Sequence, residues 1–132
     1  MPMRLSEVHP SVVHFPIALL PASIAADAIG VARRDRELLA FGKWAMVAAA
    51  ASATVAGVFG LIAQEEVNVE GEARDVLVTH RTLNVAALGV MTALAVSRVA
   101  MRRPKLGYLL AGLGAIGAVT YSAYLGGKLV YL

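Results

Sequence analysis

Residues 44–63 read WAMVAAAASATVAGVFGLIA, a run of 20 residues without one charged side chain. An α-helix needs about 20 apolar residues to cross the hydrocarbon core of a bilayer. Three more uncharged runs occupy residues 8–26, 82–97 and 106–127. The run at 82–97 is short, but long basic side chains at its ends can reach the membrane surface and extend its span. The four runs predict four transmembrane helices.

The composition agrees with an all-α membrane protein. Hydrophobic residues make up 58% of the 132 residues and charged residues 16%, whereas a soluble domain has about 45–50% and 25%. The length predicts a single domain over residues 1–132, an integral membrane four-helix bundle. Its helices are expected at about 10–32, 42–64, 78–101 and 105–128.

Charge and cysteine content exclude several classes of function. The net charge of +3 is far below the dense basic surface that nucleic-acid binding requires. The chain has no cysteine, which excludes disulfides, thiol nucleophiles, iron–sulfur clusters and covalently attached haem. No serine has a convincingly spaced base, so the sequence favours a non-catalytic protein over an enzyme.

The connections between the helices are short, so consecutive helices should run up-down-up-down. The first and third connections hold eight of the 12 basic residues: Arg33, Arg34, Arg36, Lys43, Arg98, Arg102, Arg103 and Lys105. The second connection is acidic. Because basic connections stay in the cytoplasm, we expect both termini outside, in the periplasm, and the chain in a bacterial inner membrane.

This orientation predicts the behaviour of reporter fusions. An enzyme that is active only in the periplasm should be active when it is fused after Leu132, and inactive when it is inserted between Arg102 and Arg103. The opposite pattern would overturn the assigned orientation.

Polar residues gather at the predicted outer ends of the helices. His9 precedes the first helix, His14 lies in its first turns, and His80 opens the third helix. His80 and Asn84 share a helix face because they are four residues apart. On the fourth helix, Gly117, Tyr121, Tyr124 and Lys128 form one stripe. Polar groups at membrane depth are candidates for a functional site, although interfacial His and Tyr are also common membrane anchors.

Two segments resemble a known family. Residues 9–19 read HPSVVHFPIAL and residues 126–131 read GGKLVY. With Asp27 in the first helix and the His80 and Asn84 pair opening the third, the chain resembles the bacterial membrane family called domain of unknown function 2231. The resemblance covers nearly the whole chain and implies a small four-helix inner-membrane protein. Family members are similar in places to domains found beside c-type cytochromes, which points towards electron transfer.

One hypothesis is that the bundle binds b-type haem non-covalently. Helices one and three are diagonal in an up-down bundle, with axes roughly 11–14 Å apart, a separation that suits two histidines on opposite sides of one iron. His14 and His80 would be the ligands, and Asn84, Tyr121 and Lys128 would complete the site. Small residues on helices two and four either serve helix packing or leave room for a flat ligand, and Lys128 or Arg81 could pair with a propionate.

Other interpretations remain open. His9, His14 and His80, with Glu65 or Glu66, could hold zinc or copper at the outer surface, or the chain could bind another small molecule there. The protein could instead be a structural or partner-binding membrane subunit, with a redox partner or a second copy of itself. Asp27 is expected to form an ion pair with Arg34 or Arg98 rather than to relay protons.

Overall fold

The structure is a computed structural model that describes residues 12–65 and 69–129. It has four α-helices in these ranges: α1 (His14–Arg33), α2 (Arg36–Glu65), α3 (Glu72–Ala100) and α4 (Leu106–Leu129). Each of the four is long and apolar enough to cross a membrane. The predicted all-α class with four such helices is confirmed.

The helices α2 and α3 begin before the predicted starts at about 42 and 78 because local polar groups extend them beyond the apolar runs. The predicted start of the first helix, at about residue 10, lies outside the described residues. Arg34 adopts a left-handed conformation (φ 53°) and ends α1. The Asp35 carboxylate accepts hydrogen bonds from the backbone N–H groups of Glu37 and Leu38 at 2.9 and 3.1 Å, as an N-cap does. At the start of α3, Gly71 has φ 64° and Glu72 lies in the first turn, where the helix dipole favours an acidic side chain.

Each helix packs against two others in the order α1–α2–α3–α4–α1, so that in the described residues α1 and α3 are diagonal. Buried side chains from all four helices form the core, among them Leu20, Met46, Met91 and Tyr108. Gly112 of α4 lies against Ile24 of α1 so closely that a Cβ there would overlap the isoleucine side chain. Small residues thus bring neighbouring helices into close contact.

At one end of the bundle, an ion pair crosses the diagonal. The Arg98 guanidinium of α3 donates hydrogen bonds to both carboxylate oxygens of Asp27 in α1, at 2.8 and 2.9 Å. The same guanidinium donates to the carbonyl oxygens of Leu39 and Met101 at 3.0 and 3.1 Å. Asp27 and Arg98 are 0% and 1% exposed. The prediction of an ion pair for Asp27 is therefore confirmed, with Arg98 as the partner.

We call this end, where α1 and α3 finish and α2 and α4 begin, the basic end. Ser23 of α1 donates a hydrogen bond to the Gly42 carbonyl of α2 at 2.6 Å. A Cβ at Gly42 would collide with the Asp27 carboxylate and lie 3.1 Å from the Ser23 carbonyl oxygen. Only glycine therefore lets α1 and α2 approach this closely around the buried carboxylate.

Candidate functional site

The other end of the bundle, where α1 and α3 begin, contains a cavity of about 690 Å³. We call it the histidine cavity, because His14 from α1 and His80 from α3 both line it. Apolar side chains such as Leu61, Leu88 and Met91 form much of the remaining wall. Its size falls within the roughly 300–1,000 Å³ of typical ligand sites, which are likewise mostly apolar with a few polar groups.

Small residues form the walls that α2 and α4 contribute to the histidine cavity. On these two helices they are Ala53, Ala56, Gly57, Gly60, Ala123, Gly126 and Gly127. At Gly126 a Cβ would lie 3.0 Å from the Cε1 atom of His80, so a side chain there would press on the imidazole. These glycines therefore leave space for a ligand and for the His80 ring.

His80 is held by a hydrogen-bond network that joins α3 to α4. Its Nδ1 atom lies 2.7 Å from the Ser122 carbonyl oxygen, and since a carbonyl only accepts, Nδ1 carries the proton. The Asn84 amide nitrogen lies 3.1 Å from Nε2 of His80 and therefore donates to it. The Ser122 hydroxyl donates to the Asn84 carbonyl oxygen at 2.5 Å. The network thus orients the His80 ring, with Nδ1 towards the Ser122 carbonyl and Nε2 towards Asn84.

Ser122 was not among the residues predicted for the site. It is 2% exposed, and its backbone carbonyl and its hydroxyl both take part in the network. A lone serine in an apolar helix is typical of a packing or capping residue. Its role depends on the register between α3 and α4, for which the sequence carries no signal.

His14 and Arg81 also contribute polar side chains to the lining of the histidine cavity. His14 lies at the first position of α1, where it is exposed while still lining the cavity. Arg81, next to His80, also lines the cavity. The predicted pair of His14 and His80 is therefore brought to one cavity from two diagonal helices.

Comparison with known proteins identifies the family. The family described as "Predicted membrane protein (DUF2231)" matches residues 6–132. The chain belongs to this family. The resemblance carried by the first and last motifs is thereby confirmed, and the family description agrees with four membrane-spanning helices. No curated protein and no solved structure matches the chain.

Two residues predicted for the site in this DUF2231 chain lie away from the cavity lining. Tyr121 is 53% exposed, and its ring stacks on that of Tyr124 with centroids 6.3 Å apart. The Lys128 ammonium pairs with the Glu72 carboxylate at 3.2 Å, at the surface. Their stripe on α4 faces outwards, while Ser122 and Gly126 of the same helix face the interior.

One alternative for the DUF2231 chain is a metal site that uses His9, His14 and His80. His9 lies outside the described residues, as does Glu66. Among the side chains described in residues 12–62 and 69–129, which do not include that of Glu65, no group of three or more His, Asp or Glu residues is placed to hold a metal ion. In the described part of the chain, His14 and His80 are the imidazoles that a ligand in the cavity can meet.

Proposed function

We propose that this membrane protein binds a b-type haem in the histidine cavity, where His14 and His80 would hold the iron, and that it works as an electron-transfer module. The observation that carries the proposal is one cavity of about 690 Å³ that both histidines line from diagonal helices. Bound haem supplies a one-electron carrier whose potential depends on its axial ligands and surroundings.

The environment of His80 suits a metal ligand. Metal-binding histidines usually donate their second ring N–H to a backbone carbonyl or a carboxylate, which fixes the tautomer and the ring orientation. His80 donates Nδ1–H to the Ser122 carbonyl in this way. Nε2 is the atom through which His80 would hold the iron, in place of the hydrogen bond from Asn84, while the hydrogen bond of Nδ1 to Ser122 would keep the ring oriented. Ser122 is therefore a positioning residue for His80.

The walls that α2 and α4 contribute to the histidine cavity also suit a flat, mostly apolar group. Gly57 and Gly126 present no side chain to the space between α2 and α4, so a planar ring can lie between these helices. A propionate needs a cationic partner, and Arg81 lines the cavity, whereas Lys128 already pairs with Glu72. Arg81 therefore takes the propionate role in this proposal.

The same proposal includes a location and a partner. The charge distribution between the connections supports a location of the histidine cavity on the periplasmic side of a bacterial inner membrane. An electron carrier at that surface exchanges electrons with a redox protein or a second copy of the chain. His14 lines the cavity and is exposed, which is consistent with approach of the proposed partner from its side.

The proposal predicts an absorption spectrum. Protein purified from a haem-producing host should show a Soret band and, after reduction, the sharp visible bands of six-coordinate haem. His14→Ala and His80→Ala should each abolish or strongly distort this spectrum, because each removes an iron ligand. His9→Ala should leave it nearly intact. Wild-type protein without a Soret band, or ligand variants that keep the wild-type spectrum, would overturn the proposal.

A cavity-filling variant distinguishes the loss of an iron-binding histidine from the loss of the space that the haem needs. Gly57→Phe places a ring in the histidine cavity and keeps both histidines, so we expect bound haem to fall several-fold. Gly114→Phe is the matched control, because a Cβ added at Gly114 would have no neighbour within 4 Å. Equal haem content in the two variants would show that the chromophore lies elsewhere.

A further inference from the structure

A second cavity, of about 440 Å³, opens at the basic end between the start of α2 and the end of α3. We call it the basic groove. Arg36 and Lys43 of α2 line one side, and Arg102, just after α3, lines the other. Apolar side chains, including Leu39 and Val99, form the rest of its wall. The groove therefore combines several cationic groups with apolar surface.

Three of the four cationic side chains that line the basic groove, those of Arg36, Lys43 and Arg102, have no carboxylate partner among the described residues. Among the side chains that the structure describes, in residues 12–62 and 69–129, the ion pairs are those of Asp27 with Arg98 and of Glu72 with Lys128. Arg98 also borders the groove, but its guanidinium is occupied by Asp27 and two backbone carbonyls. Arg36, Lys43 and Arg102 thus leave a net positive charge that an anionic ligand can neutralise.

An adjacent tryptophan indicates the depth of the groove in the membrane. The Lys43 ammonium lies 4.9 Å from the centroid of the Trp44 ring, and Trp44 is 59% exposed on the outside of the bundle. Tryptophan is enriched at the level of the lipid headgroups. The groove opening beside Lys43 therefore lies where lipid phosphates are concentrated.

We propose that the basic groove binds the phosphate headgroup of an anionic phospholipid. Basic pockets between transmembrane helices are suited to such headgroups, and arginine side chains donate paired hydrogen bonds to phosphate oxygens. Arg36 and Arg102 approach the phosphate from opposite sides of the groove, and Lys43 exchanges its contact with Trp44 for the anion. Leu39 and Val99 contact the first carbons of the acyl chains, which a free phosphate ion does not offer.

Trp44 provides a local readout, because it is the single tryptophan of the chain. The purified protein in neutral detergent is titrated with phosphatidylglycerol, with phosphatidylcholine or with inorganic phosphate while Trp44 fluorescence is recorded. We expect a saturable change with phosphatidylglycerol and none with the other two. An equal response to both lipids, or saturation by inorganic phosphate alone, would overturn the proposal.

Two double variants with equal loss of charge test the groove itself. In Arg36→Gln/Arg102→Gln, the half-saturating fraction of phosphatidylglycerol should rise about 10-fold or more, since each basic residue near an anionic headgroup contributes a factor of about five. Arg33→Gln/Arg103→Gln removes two exposed arginines that do not line the groove, so it should stay within about twofold of wild type. Equal shifts in the two variants would show diffuse surface attraction and refute a defined site.

Discussion

Arg98→Met is expected to lower the free energy of unfolding by about 3–5 kcal/mol, the usual cost of removing one partner from a buried ion pair. The variant leaves the Asp27 carboxylate, which is 0% exposed, without its charged partner. It also leaves the carbonyl oxygens of Leu39 and Met101 without the N–H groups that now reach them. Unfolding by denaturing detergent in mixed micelles, followed by circular dichroism, measures the loss.

Two further variants test whether the buried charge causes this loss. Asp27→Asn/Arg98→Met removes both charges, so it should be less destabilised than Arg98→Met alone. Arg103→Met removes an exposed arginine and should change stability by less than about 0.5 kcal/mol. If the loss of free energy of unfolding in the double variant equals the sum of the losses in Asp27→Asn and Arg98→Met, the two charges are not coupled and the interpretation fails.

Gly42→Ala is expected to destabilise the bundle by about 1–3 kcal/mol, the range for overpacking a close contact. The new methyl group would collide with the Asp27 carboxylate. That carboxylate is held by Arg98 and cannot move away without losing its hydrogen bonds. The same unfolding assay in mixed micelles measures the effect.

Gly114→Ala is the matched control for Gly42→Ala. A Cβ at Gly114 has no neighbour within 4 Å, and alanine favours a helix over glycine by up to about 1 kcal/mol. We therefore expect unchanged or slightly higher stability for Gly114→Ala. A Gly42→Ala variant as stable as Gly114→Ala would contradict the close packing of α1 against α2.

The number of helices could be predicted from the sequence because each apolar run is about as long as a bilayer is thick. The helix ends were less predictable, since α2 and α3 continue through polar residues that the apolar pattern excludes. Asp35 carried a usable signal for the start of α2, because an aspartate before a helix commonly caps it. Gly71 and the acidic Glu72 gave a similar signal for α3.

For the candidate site, the sequence predicted His14, His80 and Asn84, and the structure brings these three to one cavity. The sequence could not predict Ser122 as the partner of His80, because that contact depends on the rotation and register of α4 against α3. The same rotation turns Tyr121 and Lys128 towards the surface. Helical spacing defines which residues share a face, but packing decides which face points inwards.

The ion pair between Asp27 and Arg98 also has a consequence for the order of biosynthesis. Asp27 belongs to the hairpin of α1 and α2, which leaves the ribosome first, and Arg98 belongs to the later hairpin of α3 and α4. Until the second hairpin arrives, the first carries a carboxylate at a depth where unpaired charge is costly. The pairing of Asp27 with Arg98 thus requires both halves of the bundle, and a product truncated before α3 keeps the Asp27 carboxylate without its charged partner.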